Sequence, residues 1–114
     1  MSKIYNLLLN KTVSNQLPIW LMRQAGRYLP EYRQLRSQEA NFLNFCYQPQ
    51  MVLEATMQPI TWFPLLSAAI IFSDILVIPE SMGLDYELIE KKGPLFPETI
   101  QSQADVDQLI QGTP

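Results

Sequence analysis

Arg23, Arg27, Arg33 and Arg36 are four of the eight cationic residues in a 114-residue chain whose formal net charge is −3, so its positive charge is concentrated in one short segment. That segment, Arg23-Gln24-Ala25-Gly26-Arg27-Tyr28-Leu29-Pro30-Glu31-Tyr32-Arg33, also holds a glycine and two tyrosines. Arginine stays charged at physiological pH, and its planar fork grips a carboxylate through two parallel hydrogen bonds, so the grouping reads as an anion-binding loop. A solvated helix face beside ordinary loop arginines is the competing reading. The second group of interest is Asp74, which follows the apolar run Ala68-Ala69-Ile70-Ile71-Phe72 and Ser73. At the carboxyl end of a buried strand it stands where a β/α barrel collects functional side chains. As the cap of a following turn it would stabilise by about 1 kcal/mol and do no chemistry. With no histidine and a single cysteine, Cys46, these residues cannot assemble the common zinc ligand sets or a Ser-His-Asp or Cys-His arrangement. Chemistry here has to rest on carboxylates, arginines and tyrosines.

The elements that position these residues can be read from apolar spacing and from helix signals. Ile4, Leu7 and Leu8 recur at helical spacing in a first short helix over 3–9. Pro18 introduces Ile19-Trp20-Leu21-Met22, a continuous apolar run of strand length, and the arginine loop leaves its carboxyl end. Pro30 fits the first turn of a helix to about Ser37, with Tyr32 and Leu35 inward and Arg33 and Arg36 outward. Asn41 caps a helix through Tyr47, and Pro49 opens another with Val52, Leu53, Thr56 and Met57 on its inner face. A proline-containing turn over 61–67 delivers the chain into a buried strand over 68–72, parallel to the one over 19–22, with Arg23, Arg27 and Asp74 at one end. Beyond it come a helical turn over 79–83 closed by Gly83, an extended segment over 86–89 and a turn at Lys91-Lys92-Gly93-Pro94. Ser102 and Asp105 form a capping box that starts a helix carrying Val106, Leu109 and Ile110.

Composition sets wider bounds. With 47% hydrophobic and 17% charged residues the chain is long enough for one globular domain over 1–114. No window approaches the roughly 18 consecutive apolar residues of a membrane span, and the start lacks the long apolar core of a signal peptide, so a cytoplasmic protein without a membrane partner is expected. One cationic cluster in an acidic chain argues against nucleic-acid binding, which needs a broad basic face. Cys46, with no second cysteine to pair with, is expected as a small buried hydrophobe.

The order of the residues is more specific than their types. The segment Arg23 to Arg33, preceded by Pro18-Ile19-Trp20-Leu21-Met22, is joined by Phe42-Leu43, Cys46, Gln58-Pro59-Ile60, Ile70-Ile71-Phe72-Ser73-Asp74-Ile75-Leu76, Ile78-Pro79, Met82-Gly83 and Gly93-Pro94. From about Ile4 to Ile110 this series resembles the N-terminal part of the uroporphyrinogen decarboxylase family. The resemblance implies an α/β fold, the incomplete N-terminal portion of a TIM (β/α)8 barrel, with 1–114 as a partial domain. It implies a carboxy-lyase that converts the four acetate side chains of uroporphyrinogen to methyls, giving coproporphyrinogen in haem and tetrapyrrole biosynthesis, without metal or organic cofactor. On that basis Asp74 and Arg27 are catalytic, Asp74 accepting hydrogen bonds from pyrrole N–H groups. Arg23 and Arg27 engage substrate carboxylates, while Gln24, Ala25 and Gly26 line the same wall. Glycine there lets the backbone approach a ligand closely.

Two departures qualify these expectations. Family members are roughly three times longer, whereas a barrel needs eight strands to close. Thr61, Trp62 and Ser67 stand where the family shows basic or charged residues and an aspartate, and the stretch is one residue longer. An extra residue before a strand must be absorbed in the turn, or every side chain of that strand changes face. A truncated product or one piece of a split enzyme is therefore expected, inactive alone and partnered by a homodimer mate or a complementary C-terminal fragment. Two other readings are a non-catalytic module that binds an anionic ligand or complementary chain, and the cobalamin-dependent methyltransferase branch of the same superfamily. Lack of histidine counts against the latter.

Overall fold

The computed structural model describes residues 3–11, 16–89 and 92–109, and they fall into two units, Met1–Ser73 and Asp74–Pro114. The first unit opens with helix α1 (Lys3–Asn10), on which Ile4 is half-buried but Leu7 and Leu8 are exposed, so the expected apolar stripe is mostly uncovered. Helix α2 (Pro30–Arg36) has Pro30 in its first turn, where the missing N–H is a donor the helix start leaves unpaired anyway. Its inward residues are Tyr32 and Leu35, as their spacing predicts. In α3 (Phe42–Cys46) the Asn41 side chain accepts from the backbone N–H groups of Leu43 and Asn44 at 2.8 and 3.1 Å. Helix α4 (Pro49–Trp62) begins with the second helix-opening proline.

The core lies among α2, α3 and α4: Leu29, Tyr32, Leu35, Phe45 and Ala55 are buried, and Phe72 and the half-buried Cys46 pack on them. Phe72 meets the rings of Tyr32, Phe42 and Phe45 at centroid distances of 5.6, 6.2 and 5.5 Å, the last two nearly edge-on, the arrangement that ring quadrupoles favour. Arg36 does not reach outward as expected. It folds back to donate to the carbonyls of Glu39 and Ala40 and lies 5.7 and 5.6 Å over the Phe42 and Phe45 rings.

Helix α4 meets the expected face only at Val52, half-buried, and Thr56, and it runs past the expected start of the turn at Thr61. Ala55, Thr56, Gln58 and Pro59 are buried, whereas Leu53 and Met57 are exposed, since small side chains at 55 and 56 let α2 and α3 approach closely. The helix runs through Pro59, which removes only the bond to the Ala55 carbonyl, and it closes with Phe63 N donating to Pro59 O at 2.8 Å. Trp62 anchors that last turn by donating from its indole N–H to Glu31 Oε2 at 3.1 Å.

The strands expected over 19–22 and 68–72 do not form as ladders. Their direction is right at one point, a parallel bridge between Ile19 and Leu66, where Ser67 N donates to Ile19 O at 2.8 Å. Pairing stops there because side chains occupy backbone groups a longer ladder would use: Gln24 bonds Ala68 O and Ile70 N, and Thr56 Oγ1 accepts from Phe72 N. The segment is not a buried strand either, with Ile71 76% exposed.

In the second unit, α5 (Val77–Ser81) ends at Gly83, whose φ of 90° suits a residue without Cβ. Gly83 N to Glu80 O and Leu84 N to Pro79 O, both 3.0 Å, close the helix end as the Schellman motif does. Strands β1 (Glu87–Ile89) and β2 (Gly93–Leu95) pair antiparallel, with Glu87 opposite Leu95 and Ile89 opposite Gly93. Gly93 and Pro94 thus belong to the second strand rather than to the expected turn, and Lys91 lies outside the described residues. The extended backbone that proline favours is compatible with an edge position, where no N–H is required of it. Helix α6 (Gln103–Asp107) starts at the expected capping box, with Asp105 Oδ2 accepting from Ser102 N at 2.8 Å. Val106 is exposed there, and Ile110 lies outside the described residues. Among the described residues no helix is long and apolar enough to cross a membrane.

Candidate functional site

The loop over 23–29 is held by its own side chains. Gln24 is only 4% exposed, and its amide N–H groups donate to Leu21 O at 3.1 Å and Ala68 O at 2.9 Å, while its Oε1 accepts from Ile70 N at 2.9 Å. Tyr28 donates from its hydroxyl to the Gln24 carbonyl, and Leu29 N bonds Gly26 O at 3.1 Å to close the turn. From α2, Arg33 donates to Arg27 O at 2.7 Å and to Tyr28 O at 3.4 Å. Ala25 packs on the core, and an added Cβ at Gly26 would meet only the Tyr28 ring at ordinary contact distance, 3.5 Å.

The four arginines therefore divide into two pairs. Arg33 and Arg36 donate to backbone carbonyls of their own unit. Arg23 and Arg27 are exposed, and among the described residues neither guanidinium has a hydrogen bond or ion pair. Sequence spacing identified the cluster but not this division, which depends on the carbonyls that the turn brings within reach of each side chain.

Asp74 opens the second unit, half-buried, and accepts a hydrogen bond from the hydroxyl of Tyr86. Tyr86 is buried, with its ring 5.6 Å from that of Phe96. Asp74 is not the cap of the following helix, since α5 has Leu76 at its N-cap with no side-chain bond there. Sequence reasoning missed Tyr86 as the partner of Asp74, and no signal in the spacing of two residues twelve apart could have supplied it. The residues that depart from the family pattern all have polar roles. Thr61 bonds Met57 O at 3.2 Å, Trp62 bonds Glu31, and Ser67 Oγ accepts from Ile19 N at 3.3 Å.

A mixed helix and strand protein with an arginine loop of this kind can hold an anion through two guanidinium groups whose backbone is already fixed. Comparison with known proteins narrows the class. The sequence pattern described as Uroporphyrinogen decarboxylase (URO-D) matches residues 1–114. A uroporphyrinogen decarboxylase of Chloroherpeton thalassium (strain ATCC 35110 / GB-78) is 55% identical over 102 residues, covering 90% of this chain and 28% of the relative. That of Sulfurovum sp. (strain NBC37-1) is 53% identical over 95 residues, 83% of this chain and 27% of the relative. That of Aliarcobacter butzleri (strain RM4018) is 45% identical over 112 residues, 98% of this chain and 32% of the relative. The chain belongs to the uroporphyrinogen decarboxylase family. It spans between 27% and 32% of the length of these three relatives.

Proposed function

We propose that this chain supplies the N-terminal part of a (β/α)8 barrel in a cytoplasmic uroporphyrinogen decarboxylase, and that Arg23, Arg27 and Asp74 take part in its active site. The observation that carries this reading is the division of the arginines: Arg33 fastens the loop backbone, and Arg23 and Arg27 are left exposed on it. A substrate bearing several carboxylates is the natural ligand for such a pair. Gly26 leaves the backbone between the two arginines open to a ligand, whereas the side chains of Gln24, buried and bonded to backbone, and of Ala25, packed on the core, do not form the wall expected of them.

In the proposed reaction a proton adds to a pyrrole carbon and makes the ring cationic. The bond from the acetate methylene to its carboxylate then breaks, and its electron pair neutralises the ring as carbon dioxide leaves. A second proton at the exocyclic carbon gives the methyl, and loss of the first restores the pyrrole. Arg27 orients the carboxylate that departs. Asp74 accepts pyrrole N–H bonds, and its charge opposes the cation as it develops, an interaction stronger in the transition state than in the bound substrate.

The apolar residues along the two extended segments fit the barrel reading. Met22 is 79% and Leu65 76% exposed, as expected of surfaces that further parallel strands would cover. The proposed partner is therefore a polypeptide that supplies the rest of the barrel. The test is a chimera in which residues 1–114 replace the matching part of the Chloroherpeton thalassium relative. Conversion of uroporphyrinogen to coproporphyrinogen, followed by chromatography, is expected, with loss on Arg27→Ala. A folded chimera without conversion, or one indifferent to Arg27→Ala, would sink the proposal.

A further inference from the structure

We infer that Gln24 is a positioning residue, whose buried amide fixes where Arg23 and Arg27 present their guanidinium groups to a carboxylate-bearing ligand. The inference rests on the ligand reading given above and extends it to a side chain that does not touch the ligand. Gln24 adjoins Arg23 and lies three residues before Arg27. Its two amide donors and its oxygen are all engaged, with Leu21 O, Ala68 O and Ile70 N at 3.1, 2.9 and 2.9 Å, and it is 4% exposed. These bonds tie the base of the loop to a segment more than forty residues away in sequence. The Tyr28 hydroxyl on the Gln24 carbonyl then draws residues 24–28 into a closed ring that contains Ala25, Gly26 and Arg27.

The chemistry requires an amide of this length. Glutamate would set a carboxylate against the carbonyls of Leu21 and Ala68, and asparagine is one methylene too short to span all three partners. Methionine fills similar space but can neither donate to those carbonyls nor accept well from Ile70 N–H. The loss then falls on the geometry of the arginines, and geometry matters because misplacement by about 1 Å can remove most of the benefit of a prearranged clamp.

The test uses the 114-residue chain, its Gln24→Met, Tyr28→Phe and Arg23→Ala/Arg27→Ala variants, trypsin, and uroporphyrin III as the octacarboxylate probe. Trypsin cleaves after Arg23 and Arg27, so its rate at these two bonds reads the order of the loop. Both bonds are expected to be protected relative to the denatured chain, and to lose protection in Gln24→Met and, less, in Tyr28→Phe. Gln24→Met is expected to weaken uroporphyrin binding about tenfold, within the usual coupling range for residues in one network, but to cost nothing further when both arginines are already alanine. Cleavage in the parent as fast as in the denatured chain, unchanged cleavage in Gln24→Met, or an equal loss of affinity with and without the arginines would each overturn the inference. If Gln24→Met fails to fold, the Tyr28→Phe cleavage rate decides by the same criterion. Altered cleavage with no uroporphyrin binding by the parent would support the clasp and overturn capture of a carboxylate ligand by this chain alone.

Discussion

Gln58 is 8% exposed, and neither its Nε2 nor its Oε1 has a hydrogen-bond partner among the described residues. A buried amide left unpaired costs about 1–3 kcal/mol, whereas an apolar side chain of similar volume at the same place costs little. Gln58→Met is therefore expected to raise the denaturant midpoint of the chain, and a lowered midpoint would show that the amide is paired. Asp74 makes the opposite case, a carboxylate with a defined partner in Tyr86. In the chimera, Asp74→Asn retains an acceptor for pyrrole N–H groups but loses the charge, so the expected loss is in kcat, about 100-fold, with KM little changed. A kcat within about threefold of the parent would remove Asp74 from the chemistry. What could be read at such positions was residue type. The arginine cluster and Asp74 were legible, but the hydroxyl of Tyr86 and the carbonyls that engage Arg33 and Arg36 were not, because those contacts depend on the fold.

Helix ends were the most legible elements, since a cap acts locally: Pro30, Asn41, Pro49, Gly83 and the Ser102–Asp105 box all sit where their chemistry predicts. Hydrogen bonds from Gln101 N and from the side chain and backbone of Ser102 hold the Asp105 carboxyl below its ordinary range. A depressed pKa means stability that is fully present above the unfolded value and is lost as pH falls through the folded one. The amides of Gln101 and Ser102 are thus expected to lose exchange protection only on acidification through the carboxylate range, and Asp105→Asn should flatten that pH dependence. Strands were the least legible. The apolar runs over 19–22 and 68–72 identify surfaces that prefer burial, but periodicity does not show whether a neighbouring strand is present, or that Gln24, Thr56 and Ser67 bond the same backbone.

Taken whole, the chain carries large apolar side chains on its surface, Leu17, Met22, Leu65 and Ile71 among them. Exposed apolar side chains of this size promote association where they adjoin and no partner covers them. The double variant Met22→Lys/Ile71→Lys is expected to reduce self-association of the isolated chain in sedimentation velocity without lowering its thermal midpoint, because neither side chain lies in the core. If association is unchanged, these surfaces are not its cause.

The contacts that shape the arginine loop also set the order in which the chain can fold. Packing among α2, α3 and α4 joins residues near in sequence, but Ile19 meets Ser67 across 48 positions and Gln24 meets Ile70 across 46. Closing a long loop has an entropic cost before any contact rewards it, so such pairings follow the local ones. The helices are therefore expected to assemble first, and the ties from residues 19–24 to residues 67–70 to form last. A nascent chain that has not yet extended past Ile70 would keep the local bonds of the arginine loop but lack the ties that anchor its base.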